Sequence, residues 1–249
     1  GRSSEGAAAA KEFMRSGKLG KVFRVEEARS HYAPYWNNYQ CPKNENETDW
    51  QAFLYNKPYR PFNADMHGHW MGYREFSSSG TIGGWMSHLA DFTHYLLDAS
   101  CPVTAVTYGG IYAPTSEPQR TCLDNVTTQL HYPEGFVMMF TTHFGSGAND
   151  KDVFYAEKGI LTTSKPDGNI NGISGVASGE GCKHPDKIQQ PIKLDNTTQE
   201  DHMLNWVRCI RSRKEPNANM DCGYKQGVAV ILADRAYDEG RMMRFDSSR

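Results

Sequence analysis

The segment Asn125-Val-Thr-Thr-Gln-Leu-His-Tyr132, followed by Pro133-Glu-Gly135 and Phe136-Val-Met-Met-Phe-Thr-Thr-His143, is the clearest structural signal in the sequence. Both long runs are rich in β-branched and aromatic residues, and the first alternates polar with apolar side chains, as half-buried strands do. The Pro-Glu-Gly tripeptide between them is typical of a tight turn. We therefore predict an antiparallel hairpin formed by Asn125–Tyr132 and Phe136–His143.

Outward from this hairpin, similar short runs predict more strands, and apolar residues spaced three or four apart predict helices before and after them. Consecutive strands flanked by helices indicate an α+β domain. We expect residues 1–249 to form one such domain, with an open, mostly antiparallel β-sheet covered by helices on one face. The further predicted strands are Lys21–Arg29, Val103–Tyr108, Val153–Ala156 and Ile160–Thr163. The predicted helices are Ala7–Ser16, Ile82–Leu97, Gln199–Arg211 and Lys225–Glu239, and Pro166–Gly181 is predicted to be an exposed loop.

Composition limits the classes of partner. The 249 residues are 38% hydrophobic and 12% aromatic with a net charge of −2, which indicates a globular chain and gives no electrostatic reason to expect nucleic acid or an anionic membrane as partner. The longest apolar run, Gly227–Ala233, is far shorter than the ~20 residues of a membrane span, and we expect a cytoplasmic protein. The six cysteines form no CxxC pair, so we expect mostly buried free thiols.

The predicted helix Ile82–Leu97 carries the densest group of polar functional side chains, His88, Asp91 and His94. Neighbours in this series are three residues apart, so their side chains are offset by roughly 60°. An imidazole beside a carboxylate suits proton transfer, because the carboxylate orients the ring and stabilises its charged form. The alternative is a helix whose histidines only form hydrogen bonds in a packed interface. No metal is expected, since one helix alone offers awkward ligand geometry.

Residues 31–80 interleave aromatic side chains with Asn, Pro and Gly, which is typical of a loop-rich region that lines a binding site. His67-Gly-His69 would place both imidazoles on one side of an extended segment, as substrate contacts, as metal contacts or as surface polar groups. Arg74 is a candidate clamp for a carboxylate or hydroxyl, because guanidinium is a planar fork of donors. The alternative for Arg74 is an ion pair with Glu75 or another carboxylate.

Taken in order, several segments resemble the C-terminal, substrate-side domain of the Gfo/Idh/MocA family of nicotinamide-dependent oxidoreductases. The resemblance covers almost the whole chain and lies in an ordered set of segments rather than in one motif. The run from Ser79-Gly80 through Trp85-Met-Ser-His88 to Asp91 is similar to the active-site helix of the family. The other similar segments are Met14–Val22, Asp49–Leu54, Pro58–Phe62, Asn205–Asn217 and Ala233–Phe245.

The resemblance implies that hydride moves between NAD or NADP and a hydroxyl-bearing carbon of a sugar, polyol or cyclitol. His88 matches the family's histidine near the reacting hydroxyl, and Asp91 matches the acidic residue that follows it. The family often has Asp four residues before this histidine, whereas Gly84 stands there in this chain and can neither accept a proton nor orient an imidazole. No GxGxxG follows a predicted strand. We therefore expect the N-terminal Rossmann domain to be absent, the cofactor to be bound mainly by that domain, and none to be bound by this chain alone.

A sugar or polyol substrate implies further contact residues and partners. Aromatic faces and multiple donors suit polyols. The expected partners are a sugar or polyol and further copies of the chain, joined through the open sheet face. Two alternatives remain, a non-catalytic ligand-binding or oligomerisation domain and a relative that uses transient NAD-dependent oxidation to cleave glycosides. The candidate substrate contacts are Arg74, His67, His69, Trp36 and His94, and Arg60 is a candidate cofactor contact.

Overall fold

The structure, a computed structural model, describes residues 1–38, 44–77, 80–114, 119–148, 151–164, 174–195 and 197–246. Helices α1 to α6 are Glu5–Arg15, Trp50–Leu54, Ala64–Gly68, Ser87–Leu97, His202–Ser212 and Met220–Asp238, and a π-helical turn, Ile82–Met86, leads directly into α4. Strands β1 to β9 are Val22–His31, Thr104–Gly110, Asn125–Tyr132, Phe136–Phe144, Lys151–Ala156, Gly159–Ser164, Ser174–Ser178, Ile192–Lys193 and Met243–Arg244. The strands form one sheet in the order β8-β7-β6-β5-β1-β4-β3-β2-β9.

The predicted hairpin lies within this sheet. β3 and β4 pair antiparallel, from Asn125 opposite His143 to Tyr132 opposite Phe136. On its other side β4 pairs with β1 in parallel, whereas the remaining neighbouring strands of the described residues run antiparallel. The fold is therefore α+β with an open, mostly antiparallel sheet, as the sequence predicts.

Alternation along the strands sorts side chains between the two faces of the sheet. Val126, Leu130, Met138 and Phe140 are fully buried and share one core with residues of α1, α4 and α6. Burying a large apolar side chain in this way contributes ~1.5–3 kcal/mol. On the opposite face of β2, Val106 and Tyr108 are 45% and 75% exposed.

The longest described helix, α6, begins earlier than its apolar pattern predicts. Its first residue is Met220 rather than Lys225, because the Asn219 side chain accepts a hydrogen bond from the backbone N–H of Cys222. This contact satisfies one of the N–H groups that the first turn of a helix leaves unpaired. None of the described helices, α6 included, combines the length and the apolarity needed to cross a bilayer.

The segment predicted to be the exposed loop Pro166–Gly181 contains strand β7, so this prediction is wrong for its second half. β7 pairs antiparallel with β6, with Ile160 opposite Ser178, and Ala177 is fully buried on the core face. Small residues have little intrinsic preference for strands, and here the pairing with β6 decides the conformation. Residues 165–173 lie outside the described residues.

The aromatic-rich region between β1 and the π-helical turn contains short helices in its described parts. α2 and α3 each begin at a capping side chain, Asp49 and Asn63, which accepts a bond from the backbone N–H three residues further on. His67 lies within α3 and His69 directly follows it. The prediction that this motif is extended, with both imidazoles on one side, is therefore wrong.

The cysteines differ partly from expectation. The five described ones are free thiols, as expected, but only Cys122 is buried. The other four are half-buried, because they lie on loops or on partly exposed sides of α5 and α6. Cys41 lies outside the described residues. The half-buried thiols are Cys101, Cys182, Cys209 and Cys222.

Candidate active site

A cavity of about 420 Å³ lies between the start of α4 and the helix-covered side of β1, β5 and β6. This volume is typical of sites for small molecules. α4 contributes His88 and Asp91 to its walls, β1 contributes Glu27 and Arg29, and β5 contributes Asp152. The cavity therefore brings titratable groups together on a mainly apolar surface.

One side of the π-helical turn and of α4 forms the helical wall. Gly84, His88, Asp91 and Tyr95 line the cavity and follow one another at intervals of four, three and four residues. Residues at these spacings project from the same side of a helix. The wall begins in the π-helical turn, a local feature that recurs at functional sites.

The charged side chains of the cavity walls are paired. Glu27 and Arg29 project from the same face of β1, and Arg29 Nε lies 3.1 Å from Glu27 Oε1. The Arg29 guanidinium also lies 5.4 Å from the ring centre of Trp85. On the helical wall, Arg2 Nε donates to Asp91 Oδ1 at 2.8 Å. Both arginines are thus held by a carboxylate beside the cavity.

His88 is an exposed residue whose side chain borders the cavity. Partial removal of its ring from water lowers the pKa of His88 below the ordinary 6.5, and the positive charge of Arg29 lowers it further. The Asp91 carboxylate has a smaller, opposite effect. The imidazole is therefore neutral at neutral pH and able to accept a proton, as a general base must be.

Residues 7–162 match a protein-family model described as the GFO/IDH/MocA C-terminal domain. The chain belongs to the Gfo/Idh/MocA family. The matched range includes the π-helical turn, α4 and β1, and so both principal walls of the cavity.

Solved structures share the fold of this Gfo/Idh/MocA domain at low sequence identity. An aldose-aldose oxidoreductase from Caulobacter crescentus, solved with glycerol, matches with a TM-score of 0.66 and 18% identity over 98% of this chain and 62% of its own. An NAD-binding protein from Listeria innocua matches with a TM-score of 0.62 and 14% identity, over 98% of this chain and 65% of its own. An oxidoreductase from Agrobacterium radiobacter was solved with NAD+, L-tartaric acid and magnesium. It matches with a TM-score of 0.57 and 14% identity, over 98% of this chain and 62% of its own.

The Gfo/Idh/MocA chain spans between 62% and 65% of the length of these three proteins. At such identities the likeness establishes the fold alone. No curated protein matches the sequence.

His94 lies in the core of the Gfo/Idh/MocA domain rather than in the cavity. It is 3% exposed, and its Nε2 lies 2.9 Å from Tyr132 Oη. Burial lowers the pKa of His94 to about 4, so the ring is neutral. Six residues separate it from His88, which rotates it by roughly 120° around the helix, towards the sheet. The structure therefore gives His94 a packing role instead of the expected substrate contact.

Trp36 is also withdrawn from the cavity. It is fully buried, with its ring edge-on to Phe144 at 5.2 Å between centres, and it packs with Cys122 in a small second core. A side chain with no exposed surface cannot touch a ligand. Its neighbour in sequence, Tyr35, lines the cavity instead.

His67 and His69 belong to two separate clusters outside the cavity. The His67 ring lies 4.9 Å from that of Phe53 within a group of aromatic side chains. His69 Nδ1 lies 2.8 Å from Asp65 Oδ1. Asp65 also accepts hydrogen bonds from both terminal nitrogens of Arg120, whose guanidinium holds the pKa of that carboxyl well below its usual range. These contacts stabilise the short helices around α3.

Arg74 and Arg60 form ion pairs away from the cavity. Arg74 Nη2 lies 2.9 Å from Asp234 Oδ1 and 2.6 Å from Asp238 Oδ1, which ties its loop to α6. The two terminal nitrogens of Arg60 donate to the Glu75 carboxylate at 2.8 and 2.7 Å. For Arg74 the structure thus shows the ion-pair alternative that the sequence left open.

The described residues carry neither the glycine fingerprint of a dinucleotide site nor a cluster of metal-ligand side chains. The donors that Arg60 could offer to a phosphate already bind Glu75, and the sequence contains no GxGxxG. Among the residues that the structure describes, no group of three or more His, Cys, Asp and Glu side chains could hold a metal ion.

Sequence reasoning missed the wall that faces α4. Glu27 and Arg29 on β1, Asp152 on β5 and Tyr35 all line the cavity. One signal was present, since Glu27 and Arg29 continue the inward-facing series that begins with the fully buried Val25. Charged residues in phase with a buried strand position indicate a polar site beneath the covering helices.

Proposed function

We propose that this chain is the substrate-binding domain of an NAD(P)-dependent oxidoreductase that acts on a hydroxyl-bearing carbon of a sugar, polyol or cyclitol. The observation that carries the proposal is the position of His88, whose ring borders the cavity while its pKa lies below 6.5. Such a ring is neutral at physiological pH and can take a proton from a hydroxyl group.

His88 supplies the proton step of this reaction. Oxidation of an alcohol removes a proton from its oxygen and a hydride from its carbon. His88 accepts the proton, and the negative charge of Asp91 stabilises the resulting imidazolium. In the reverse direction, protonated His88 returns the proton to the oxygen. The hydride acceptor is a nicotinamide held by a separate domain.

The chemistry of the cavity favours an uncharged ligand with several hydroxyl groups. Arg2 and Arg29 are paired with carboxylates, so an anionic ligand would have to displace one of them. The paired groups still offer donors and acceptors to hydroxyls. Trp85 and Phe92 add apolar surface for the C–H groups of a sugar. The glycerol in the C. crescentus structure is a small polyol and supports the same ligand class.

The cofactor domain of this proposal packs against α5. None of the residues of α5 is buried, although the helix carries large apolar side chains. Uncovered apolar surface of this kind marks an interaction site. The domain proposed to cover it accounts for part of the additional length of the C. crescentus oxidoreductase. The apolar residues are Met203, Leu204, Trp206 and Ile210, which are 59%, 43%, 50% and 48% exposed.

The open face of the sheet joins copies of the chain in this proposal. Val106, Tyr108 and Val176 project from that face and are between 39% and 75% exposed. An apolar sheet face is costly to leave in water, and a second copy of the same face covers it symmetrically.

The test is the substitution His88→Ala in the full-length protein, with NAD(P)H absorbance recorded on a panel of aldoses and cyclitols. We expect turnover to fall at least ~10²-fold, because a general base is lost. His31→Ala is the matched control, since this exposed ring is not among the residues that line the cavity and its Nδ1 lies 2.7 Å from Ala33 O. Near-normal turnover of His88→Ala would overturn the proposal. A wild-type protein that binds a sugar and leaves it unchanged would favour the non-catalytic alternative. Cleavage of a glycoside would favour the alternative in which transient NAD-dependent oxidation drives glycoside cleavage.

A further inference from the structure

The hydroxyl of Tyr35 occupies the space that a side chain at position 84 would need. A Cβ atom on Gly84 would lie 1.9 Å from Tyr35 Oη and 2.9 Å from Cζ. No side chain can stand at such distances, so the present position of Tyr35 requires glycine at 84. Tyr35 Oη donates to the carbonyl oxygen of Gly80 at 3.0 Å, two residues before the π-helical turn begins.

Aromatic neighbours hold the Tyr35 ring in place. Its centre lies 5.0 Å from that of Trp85, with 32° between the planes, and 5.1 Å from that of the fully buried Trp36. Aromatic pairs at these separations attract one another. The hydroxyl is therefore fixed before a ligand arrives, and little freedom would be lost when it binds one.

Tyr35 and His88 face the same cavity from neighbouring positions. Both line it, and the Tyr35 hydroxyl lies against Gly84, one helical turn before His88. Four residues correspond to ~6 Å along the helix axis. A small polyol with hydroxyls on neighbouring carbons can bridge two polar groups placed in this way.

We propose that Tyr35 is a specificity-determining residue that binds the hydroxyl on the carbon next to the reacting one. This inference rests on the proposed function, in which His88 meets the reacting hydroxyl. A phenolic oxygen both donates and accepts, so Tyr35 donates to the Gly80 carbonyl and accepts from the substrate. A site that pairs with a ligand hydroxyl rejects the analogue that lacks it.

The test compares wild-type and Tyr35→Phe full-length protein on myo-inositol, D-glucose and monodeoxy derivatives of each. Affinity is measured by tryptophan fluorescence without cofactor, and rates by NAD(P)H absorbance. We expect Tyr35→Phe to weaken binding and raise KM about 5- to 10-fold, the size of one hydrogen bond. We also expect it to lose discrimination against removal of one particular hydroxyl, while discrimination at the other positions is retained. Tyr59→Phe, at a 69% exposed tyrosine, is the matched control.

The outcomes separate this inference from the function on which it rests. If His88→Ala abolishes turnover but Tyr35→Phe discriminates among the deoxy sugars as the wild type does, the role of Tyr35 is refuted and the proposed function stands. A general weakening that affects every hydroxyl position equally indicates a structural role and also refutes it. If the wild type neither binds nor oxidises any member of the panel, both proposals fail. A second variant, Gly84→Ala, displaces the Tyr35 hydroxyl and should lose the same discrimination.

Discussion

His94 makes the free energy of unfolding depend on pH in a way that one substitution can isolate. The residue is 3% exposed, and its Nε2 lies 2.9 Å from Tyr132 Oη. Burial lowers the pKa of His94 from 6.5 to about 4, against a smaller opposite effect of the Asp91 carboxylate. Over the pH range between these two values, the unfolded chain binds a proton at His94 and the folded chain does not.

The sign and the size of the effect follow from these two values. Because the pKa is depressed in the folded state, stability is fully present above pH 6.5 and is lost as the pH falls towards 4. Each pH unit between the folded and unfolded pKa corresponds to ~1.4 kcal/mol, so the full loss is about 3 kcal/mol. Roughly 2 kcal/mol of it is expected by about pH 4.5.

The assay is urea unfolding of the wild type and of His94→Gln, followed by tryptophan fluorescence from about pH 7 to about pH 4.5. Glutamine does not titrate, and the other acid-sensitive groups are common to both proteins. The wild type should therefore lose about 2 kcal/mol more than the variant over this range. Parallel loss of stability in the two proteins would show that His94 does not resist protonation in the folded state, and the argument from burial would be refuted.

Two further predictions concern other parts of the molecule. Asp65→Asn should lower the free energy of unfolding by about 2 kcal/mol in urea titrations, because the Arg120 side chain, 1% exposed, would lose the negative charge of Asp65. Glu75→Gln, which removes the charge beside the more exposed Arg60, should cost under ~1 kcal/mol, and equal losses would contradict the reasoning. Val106→Lys, on the open sheet face, should shift the full-length protein towards monomer in light scattering; an unchanged mass would remove this face from the interface.

Local pattern predicted the framework because its signals need only neighbouring residues. Alternation along Asn125–Tyr132 and the turn at Pro133–Gly135 indicate a hairpin wherever the segment lies, and the hairpin is present. The same reasoning failed where pairing decided the conformation, as in β7, whose small residues adopt a strand against β6. Apolar residues spaced three and four apart predicted one helix over Ile82–Leu97 and did not predict the π-helical turn at Ile82–Met86.

The sequence by itself determined the α+β framework and the helix that carries His88 and Asp91, because periodicity and turn residues act over short distances. Only the tertiary structure decided which polar side chains share a cavity, since its second wall comes from β1 and β5, distant from α4 along the chain. His88 and His94 show the same division within one helix. A rotation of roughly 120° leaves one imidazole beside the cavity and places the other in the core, and this difference depends on what packs around the helix.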